Sequence, residues 1–366
     1  MEKYYLAALQ HVFNLSEGVI GKLLDHFKTG ENIWQVSPGE IKGSNILSDA
    51  QFKYYNDFRR KNTDFPKQLA EKCQKLKIRL TSIHDEDYPP LLKEIFFPPY
   101  VLFYRGTLQN DLPRLAMVGS RKITPYGRAA AEKLGRELAA QGVCIISGAA
   151  YGVDTECHKS ALTIGTTEAV LGCGVDIAYP SSNRKLLDEI AEKGAVLSEY
   201  VPGTPPIKTN FPARNRIIAG MAMGILVIEA MERSGSLITV EHGINANRDI
   251  FAVPGSIFSP SSLGCNKLIQ QGAKLVLDSE DIISEYRDKI KIKTLSKKNG
   301  NIEKDFVLSA EEERIYAILK PDIPLSVDDI IYKLHGSSPA NVAFLLLQME
   351  LRGLVRSNDA HYYRNL

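Results

Sequence analysis

The chain has 366 residues, 45 Lys+Arg against 43 Asp+Glu, 44% hydrophobic and 24% charged residues, and five cysteines. This is the profile of a globular chain long enough for two or three domains, and it excludes bulk disorder, a collagen and a disulfide scaffold. Apolar runs such as 224–230 are far shorter than the roughly 18 residues of a membrane span, MEKYYLAALQ lacks the basic start and long apolar core of a signal peptide, and Cys73, Cys144, Cys157, Cys173 and Cys265 form no C-x-x-C pair, so a reduced, cytoplasmic compartment is expected.

Taken in chain order, residues 1–76 read as helices. Leu6, Leu9, Val12 and Phe13 form one helical stripe, and Val19, Ile20, Leu23, Leu24 and Phe27 a second. Polar turns at 14–18, 29–32 and 37–45 separate the helices. Residues 77–110, with Pro89, Pro90, Pro98 and Pro99, read as a connector with short strands, one of them at Tyr100–Tyr104. Residues 111–287 alternate strand and helix. Apolar runs at Leu115–Val118, Val143–Ile146, Thr167–Leu171, Ala195–Leu197, Ile225–Ile228, Ile250–Val253 and Lys274–Leu277 suit buried parallel strands. Helical patterns between them predict an α/β fold, a doubly wound, mostly parallel sheet with its functional loops at the carboxyl ends of the strands. Residues 288–304 are Lys-rich and read as a linker. Residues 305–366 read as three helices and a hairpin turning at Asn358–Asp359, which is a winged helix. Its third helix, SPANVAFLLLQMELRG, carries a single base, Arg352, and suits a protein partner better than duplex DNA.

The net charge of +2 is spread evenly, so any polyanion site is a local patch. Two acid-free basic stretches stand out: Arg114, Arg121, Lys122 and Arg128 between Asp111 and Glu132, and Lys208, Arg214 and Arg216 between Glu199 and Glu229. The first follows a strand end, in VGSRKITPYG. Gly119 ends the strand, Thr124-Pro125 reads as an N-cap with proline at the first helical position, and the turn is expected to aim N–H groups and a helix end at a phosphate beside Arg121 and Lys122. It is neither a dinucleotide-binding glycine pattern nor a Walker A loop; a tight turn without a ligand is the alternative. The next strand end, SGAAYGVDTECH, places Asp154 and His158 four apart; a helix cap and a local contact explain them better than catalysis. A Pro-rich loop then leads into KTNFPARNR, where Lys208, Phe211, Arg214, Asn215 and Arg216 interleave cations with an aromatic, as single-stranded nucleic acid requires: cations take phosphates and the ring stacks on a base. Pairing of Arg214 or Arg216 with strand-end acids such as Glu199 or Glu229 is the competing reading. Ser234, Gly235, Ser236 and Thr239 offer small donors at another helix start.

Together with DEDYPPLL, PPYVLFYRG, GCGVDIAYPSSN, LSEY, VIEAMERSGSLIT and FAVPGSIFSPSSLGCNKLIQQGA, these motifs resemble the DNA-processing protein A family (DprA/Smf) across almost the whole chain. The resemblance implies a Rossmann-like sheet between an N-terminal helical SAM-like domain and a C-terminal winged helix. It implies a cytoplasmic homodimer, not an enzyme and without a cofactor or metal, that binds single-stranded DNA and loads the recombinase RecA onto incoming DNA in natural transformation. The DNA contacts it carries over are Gly119, Ser120, Arg121 and Lys122 from the GSR turn, and Lys208, Phe211, Arg214, Asn215 and Arg216 from the second stretch. The chain departs from the pattern at Tyr151, where an arginine is common, and at His242-Gly243. An alternative on a related sheet is a nucleotide phosphoribohydrolase, whose P-G-G-x-G-T loop is replaced here by EAMERSGSLIT; a protein-interaction scaffold is another.

Overall fold

The computed structural model of the protein describes residues 1–13, 18–287, 308–334, 338–358 and 360–365. The linker expected at 288–304 and most of the turn expected at 14–18 lie outside these residues, as does Asp359 of the expected hairpin turn.

The N-terminal stripes fold as α1 (Glu2–Phe13) and α2 (Val19–Phe27), followed by α3 (Gly30–Gln35), α4 (Pro38–Gly43), α5 (Asp49–Lys61) and α6 (Phe65–Lys75). Ser37 and Ser48 start α4 and α5 with reciprocal capping boxes. Leu9, Val12, Phe13, Ile20 and Leu23 close one core with Ile33, Trp34 and Tyr55.

Nine strands then form one sheet: β1 (Arg79–Ser82), β2 (Val101–Gly106), β3 (Arg114–Gly119), β4 (Cys144–Ser147), β5 (Thr167–Val170), β6 (Ala195–Ser198), β7 (Gly224–Glu229), β8 (Asp249–Ala252) and β9 (Lys274–Leu275), in the order β1-β2-β6-β5-β4-β3-β7-β8-β9. The seven strands from β6 to β9 in that order are parallel; β2 pairs with β6, and β1 with β2, antiparallel. Residues 77–110, expected as a connector with short strands, thus extend the sheet at one edge, and the strand expected at Tyr100–Tyr104 is β2. The apolar runs are continuous because both faces are covered. Ala116, Val118, Ile225 and Val227 face one core, with Ile217, Ile218 and Val240. Leu115, Met117, Leu226 and Ile228 face the other, with Leu134, Leu138 and Cys157.

The connecting helices are α7 (Pro125–Ala140), α8 (Val153–Leu162), α9 (Arg184–Lys193), α10 (Asn210–Met221), α11 (Ser236–Asn245), α12 (Leu263–Gln270) and α13 (Glu280–Ile283). The sheet winds from β3 outward to β6, and α10 then carries the chain back to β7 on the other side of β3. That reversal opens a crevice at the carboxyl ends of the strands. At the chain's end, α14 (Ala310–Ile318), β10 (Leu325–Ser326), α15 (Val327–Lys333), α16 (Pro339–Leu351), β11 (Val355–Asn358) and β12 (His361–Arg364) form a winged helix with the strand order β10-β12-β11. On α16, Val342, Leu345, Leu346 and Met349 are core, while Phe344, Leu347 and Leu351 are exposed.

At the amino-terminal ends of the central strands, away from the crevice, Arg114 donates to Glu168 through Nε (2.6 Å) and Nη2 (3.1 Å), both side chains buried. Glu168→Ala would strand a buried guanidinium and should lower stability by about 3–5 kcal/mol, whereas the double change Arg114→Met with Glu168→Leu should cost far less. Urea unfolding of both variants checks this.

A candidate nucleic-acid interface

The turn after β3 and the segment around the start of α10 meet across one cavity of about 610 Å³, which also takes in the start of α11. Eight of the nine residues singled out in the sequence line it: Gly119, Ser120, Arg121, Lys122, Lys208, Phe211, Arg214 and Asn215. They converge although β3 and β6 are separated in the sheet by β4 and β5, because α10 runs back across the ends of those strands.

Arg214 fixes α10 there. The residue is 4% exposed, and its guanidinium donates to the carbonyls of Gly148 (2.9 Å) and Val170, at the ends of β4 and β5. Burial pulls its pKa down to about 10, opposed by the nearby Asp154 carboxylate. Position 148 is glycine for this reason: a Cβ would come within 2.5 Å of the Arg214 guanidinium and 2.8 Å of the Asp154 carboxylate. Asn215 accepts from Arg214 Nε at 3.2 Å. Arg214 is therefore part of the floor.

Arg216 does not join the cavity. It is turned to the far side of α10, where it pairs with the buried Glu199. The competing reading of the sequence holds for this residue: the carboxylate at the end of β6 claims it.

The turn after β3 differs from expectation in how it could hold an anion. Thr124 does cap α7, accepting from the Gly127 N–H at 3.1 Å, and Pro125 follows it. The buried Glu229 carboxylate, from the end of the neighbouring β7, already occupies that helix end: Thr124 donates to it through its N–H (2.9 Å) and its hydroxyl (2.6 Å). The Ser120 N–H goes to the Glu229 carbonyl at 2.7 Å, and the Lys122 N–H to Ser120 Oγ at 3.1 Å. These amides are taken, so positive charge here comes from side chains. Gly152, at a φ of +77°, lets the next loop pack against the turn; a Cβ there would stand 2.2 Å from the Ser120 carbonyl.

Arg121, Lys122 and Lys208 are exposed on the rim, joined by Arg233 from the loop before α11. Among the described residues none of these four has an ion-pair partner. Phe211 sits between them, partly exposed, with the Arg121 guanidinium 6.0 Å from its ring centre and the Tyr179 ring at 5.1 Å, tilted by 32°. Tyr179 is 44% exposed. Sequence reasoning passed over Tyr179 and Arg233; the signals were their places in AYPSSN and ERSGS, beside motifs already singled out. Ser234, Gly235, Ser236 and Thr239 line the same cavity.

Asp154 does not cap α8; Gly152 precedes the helix, and Asp154 accepts from the Ala150 N–H at 3.3 Å. His158 is fully buried against Thr167 Oγ1 at 2.7 Å. Burial, with Arg214 adding to it, drops its pKa from 6.5 to about 3. The folded form thus holds His158 neutral where the unfolded chain would protonate it. Its contribution to stability is complete above pH 6.5 and is lost as pH falls toward 3. His158→Gln should flatten this part of the pH dependence, as measured by chemical denaturation between those limits.

A family model described as DNA recombination-mediator protein A matches residues 79–287, and one described as the DprA winged helix domain matches residues 304–360. Protein Smf of Synechocystis is 32% identical over 99% of this chain and 98% of its own length. The DNA processing protein DprA of Streptococcus pneumoniae is 48% identical over 56% of this chain and 73% of its own. Its X-ray structure superposes with a TM-score of 0.66 at 40% identity, covering 78% of this chain and 98% of that one. DNA processing protein A of Helicobacter pylori, whose structure is described for its single-stranded DNA binding mode, matches with a TM-score of 0.53 at 29% identity over 58% of this chain and 97% of that one. The sheet, the winged helix and these matches together place the chain in the DNA recombination-mediator protein A family, the DprA/Smf proteins that process DNA.

Proposed function

We propose that the cavity binds single-stranded DNA, and that the protein uses it to protect incoming strands and to load a RecA recombinase onto them during natural transformation. The observation that carries this reading is the rim of four cations, without ion-pair partners among the described residues, around the Phe211–Tyr179 ring pair. Cations spaced along a backbone take phosphates, and exposed rings stack on bases of any sequence. The single-stranded DNA binding mode of the Helicobacter pylori relative supports it. Of the cavity's lining residues only Asp154 is a carboxylate, and it faces Arg214; this favours a binding role over phosphoribohydrolase chemistry. No described helix is long and apolar enough to cross a membrane. We read the working unit as a cytoplasmic homodimer, with 111–287 as the strand-binding body and the winged helix a separate unit whose exposed Phe344, Leu347 and Leu351 suit a protein partner.

If three or four of the rim cations each meet a phosphate, the log–log salt slope of binding should be about −2 to −3. Arg121→Ala should weaken binding by about 1.5–3 kcal/mol and make the slope shallower; Lys208→Ala should cost somewhat less, its ammonium being a mobile point charge. Phe211→Ala should cost about 1–3 kcal/mol through lost stacking and leave the slope unchanged. Fluorescence titrations with oligothymidylate at several salt concentrations, alongside melting curves, check this. Unchanged affinity in a folded Arg121→Ala protein would place the strand elsewhere.

A further inference from the structure

At the carboxyl edge of the sheet, β3, β7 and β8 are neighbours, and adjacent strands lie about 4.8 Å apart. The loops after the first two border the DNA cavity, one with Arg121 and Lys122, the other with Met231 and Arg233. The loop after β8, VPGSIFSPSSLG, lies beyond that lining. At its tip Phe258 is 90% exposed and Ile257 73%, and Met231 on the neighbouring loop is 52% exposed.

The tip is braced. The Phe258 N–H donates to Ser256 Oγ at 3.2 Å, and the Ser259 N–H to the Ser256 carbonyl at 3.0 Å. Asn266 holds Gly255 from both sides, accepting from its N–H (3.2 Å) and donating to its carbonyl (3.0 Å). Tyr126, in the first turn of α7, donates to the Pro254 carbonyl, and the Gly264 N–H donates to the Ala230 carbonyl at 2.8 Å. The loop is thus tied to the elements that carry both neighbouring walls of the cavity. Its charge suits a polyanion as well. No acidic residue stands between Asp249 and Asp278 in the sequence, and Glu232, on the neighbouring loop, is neutralised by Lys267 at 2.5 Å.

We propose that Phe258 is a further base-stacking ring, on which a single DNA strand leaving the cavity past Arg233 lays its next base, with Ile257 and Met231 beside it. The inference rests on the reading of the cavity as a DNA site and extends that site across the end of β8. A narrow tip, with Ser256, Ser259 and Ser261 around its ring, fits a base better than a protein: stacking needs one ring face, whereas the core of a protein interface needs a contiguous apolar patch.

The test titrates the full-length Phe258→Trp protein with oligothymidylates of increasing length, following tryptophan emission and, separately, the anisotropy of a dye on the oligonucleotide. Trp34, the chain's one tryptophan, is 5% exposed, and the wild-type chain supplies its background. Emission should be quenched by long strands and unchanged by strands just long enough to fill the cavity. Phe258→Leu keeps the apolar bulk without the ring; it should weaken binding of long strands about tenfold, leave short strands unaffected, and melt normally. Long strands that bind by anisotropy without quenching the Phe258→Trp protein overturn the proposal. So does a Phe258→Leu protein that binds both lengths as wild type does, or one that changes only in oligomeric state, which would assign the tip to a second copy of the chain. If no strand of any length binds the wild-type chain, the cavity reading falls and this inference with it.

Discussion

The placement of the site depends on one buried cation. Arg214 reaches from α10 into the ends of β4 and β5 and donates to the Gly148 and Val170 carbonyls, in a spot that only a glycine at 148 leaves open. A strand end has carbonyls with no further strand residue to satisfy them, and a buried guanidinium with several donors can serve two strands at once. With that anchor in place, α10 lies across the strand ends, with Lys208 just before it and Phe211 in its first turn over the end of β5, and the turn after β3 faces them. The opposite face of the same helix holds Arg216 against Glu199. One short run, FPARNR, thus supplies a rim, a floor and a partner for the end of β6, because successive helical positions point in different directions.

The cavity's electrostatics follow from a second buried group. Glu229 occupies the start of α7, where an anion would otherwise find free N–H groups and a positive helix end. The internal carboxylate makes the turn rigid and leaves attraction to flexible side chains on the rim. A site of this kind suits a polymer of variable sequence, whose phosphates need not sit at one fixed point, better than a single small phosphate cradled by amides.

Much of this was legible in the sequence. The five parallel strands β3 to β7 were readable because burial on both faces makes their apolar runs continuous, and the stripes of α1 and α2 because one face of each is core. In the Pro-rich segment the strand at Tyr100–Tyr104 was legible and is β2, but its pairing with β1 and β6 at the sheet edge was not, since such pairing is a long-range event that short runs do not signal. Eight of nine proposed contact residues share the cavity, as the acid-free stretches suggested. Arg216 fell outside because which face of α10 it occupies depends on Glu199, distant in sequence. Tyr179 escaped notice because an aromatic in a loop declares its role only through its neighbours, here Phe211. The role of Glu229 at the α7 start was equally hidden: local sequence showed a capped, glycine-led turn, and the competing carboxylate arrives from another strand.

The central claim, that a strand lies along the cavity formed by the β3 turn, the start of α10 and the loop before α11, is tested most directly by amide hydrogen exchange of the full chain with and without oligothymidylate. The account predicts slowed exchange in peptides covering 119–122, 208–215 and 233–236. Protection confined to the winged helix, with those three segments unchanged, would contradict it.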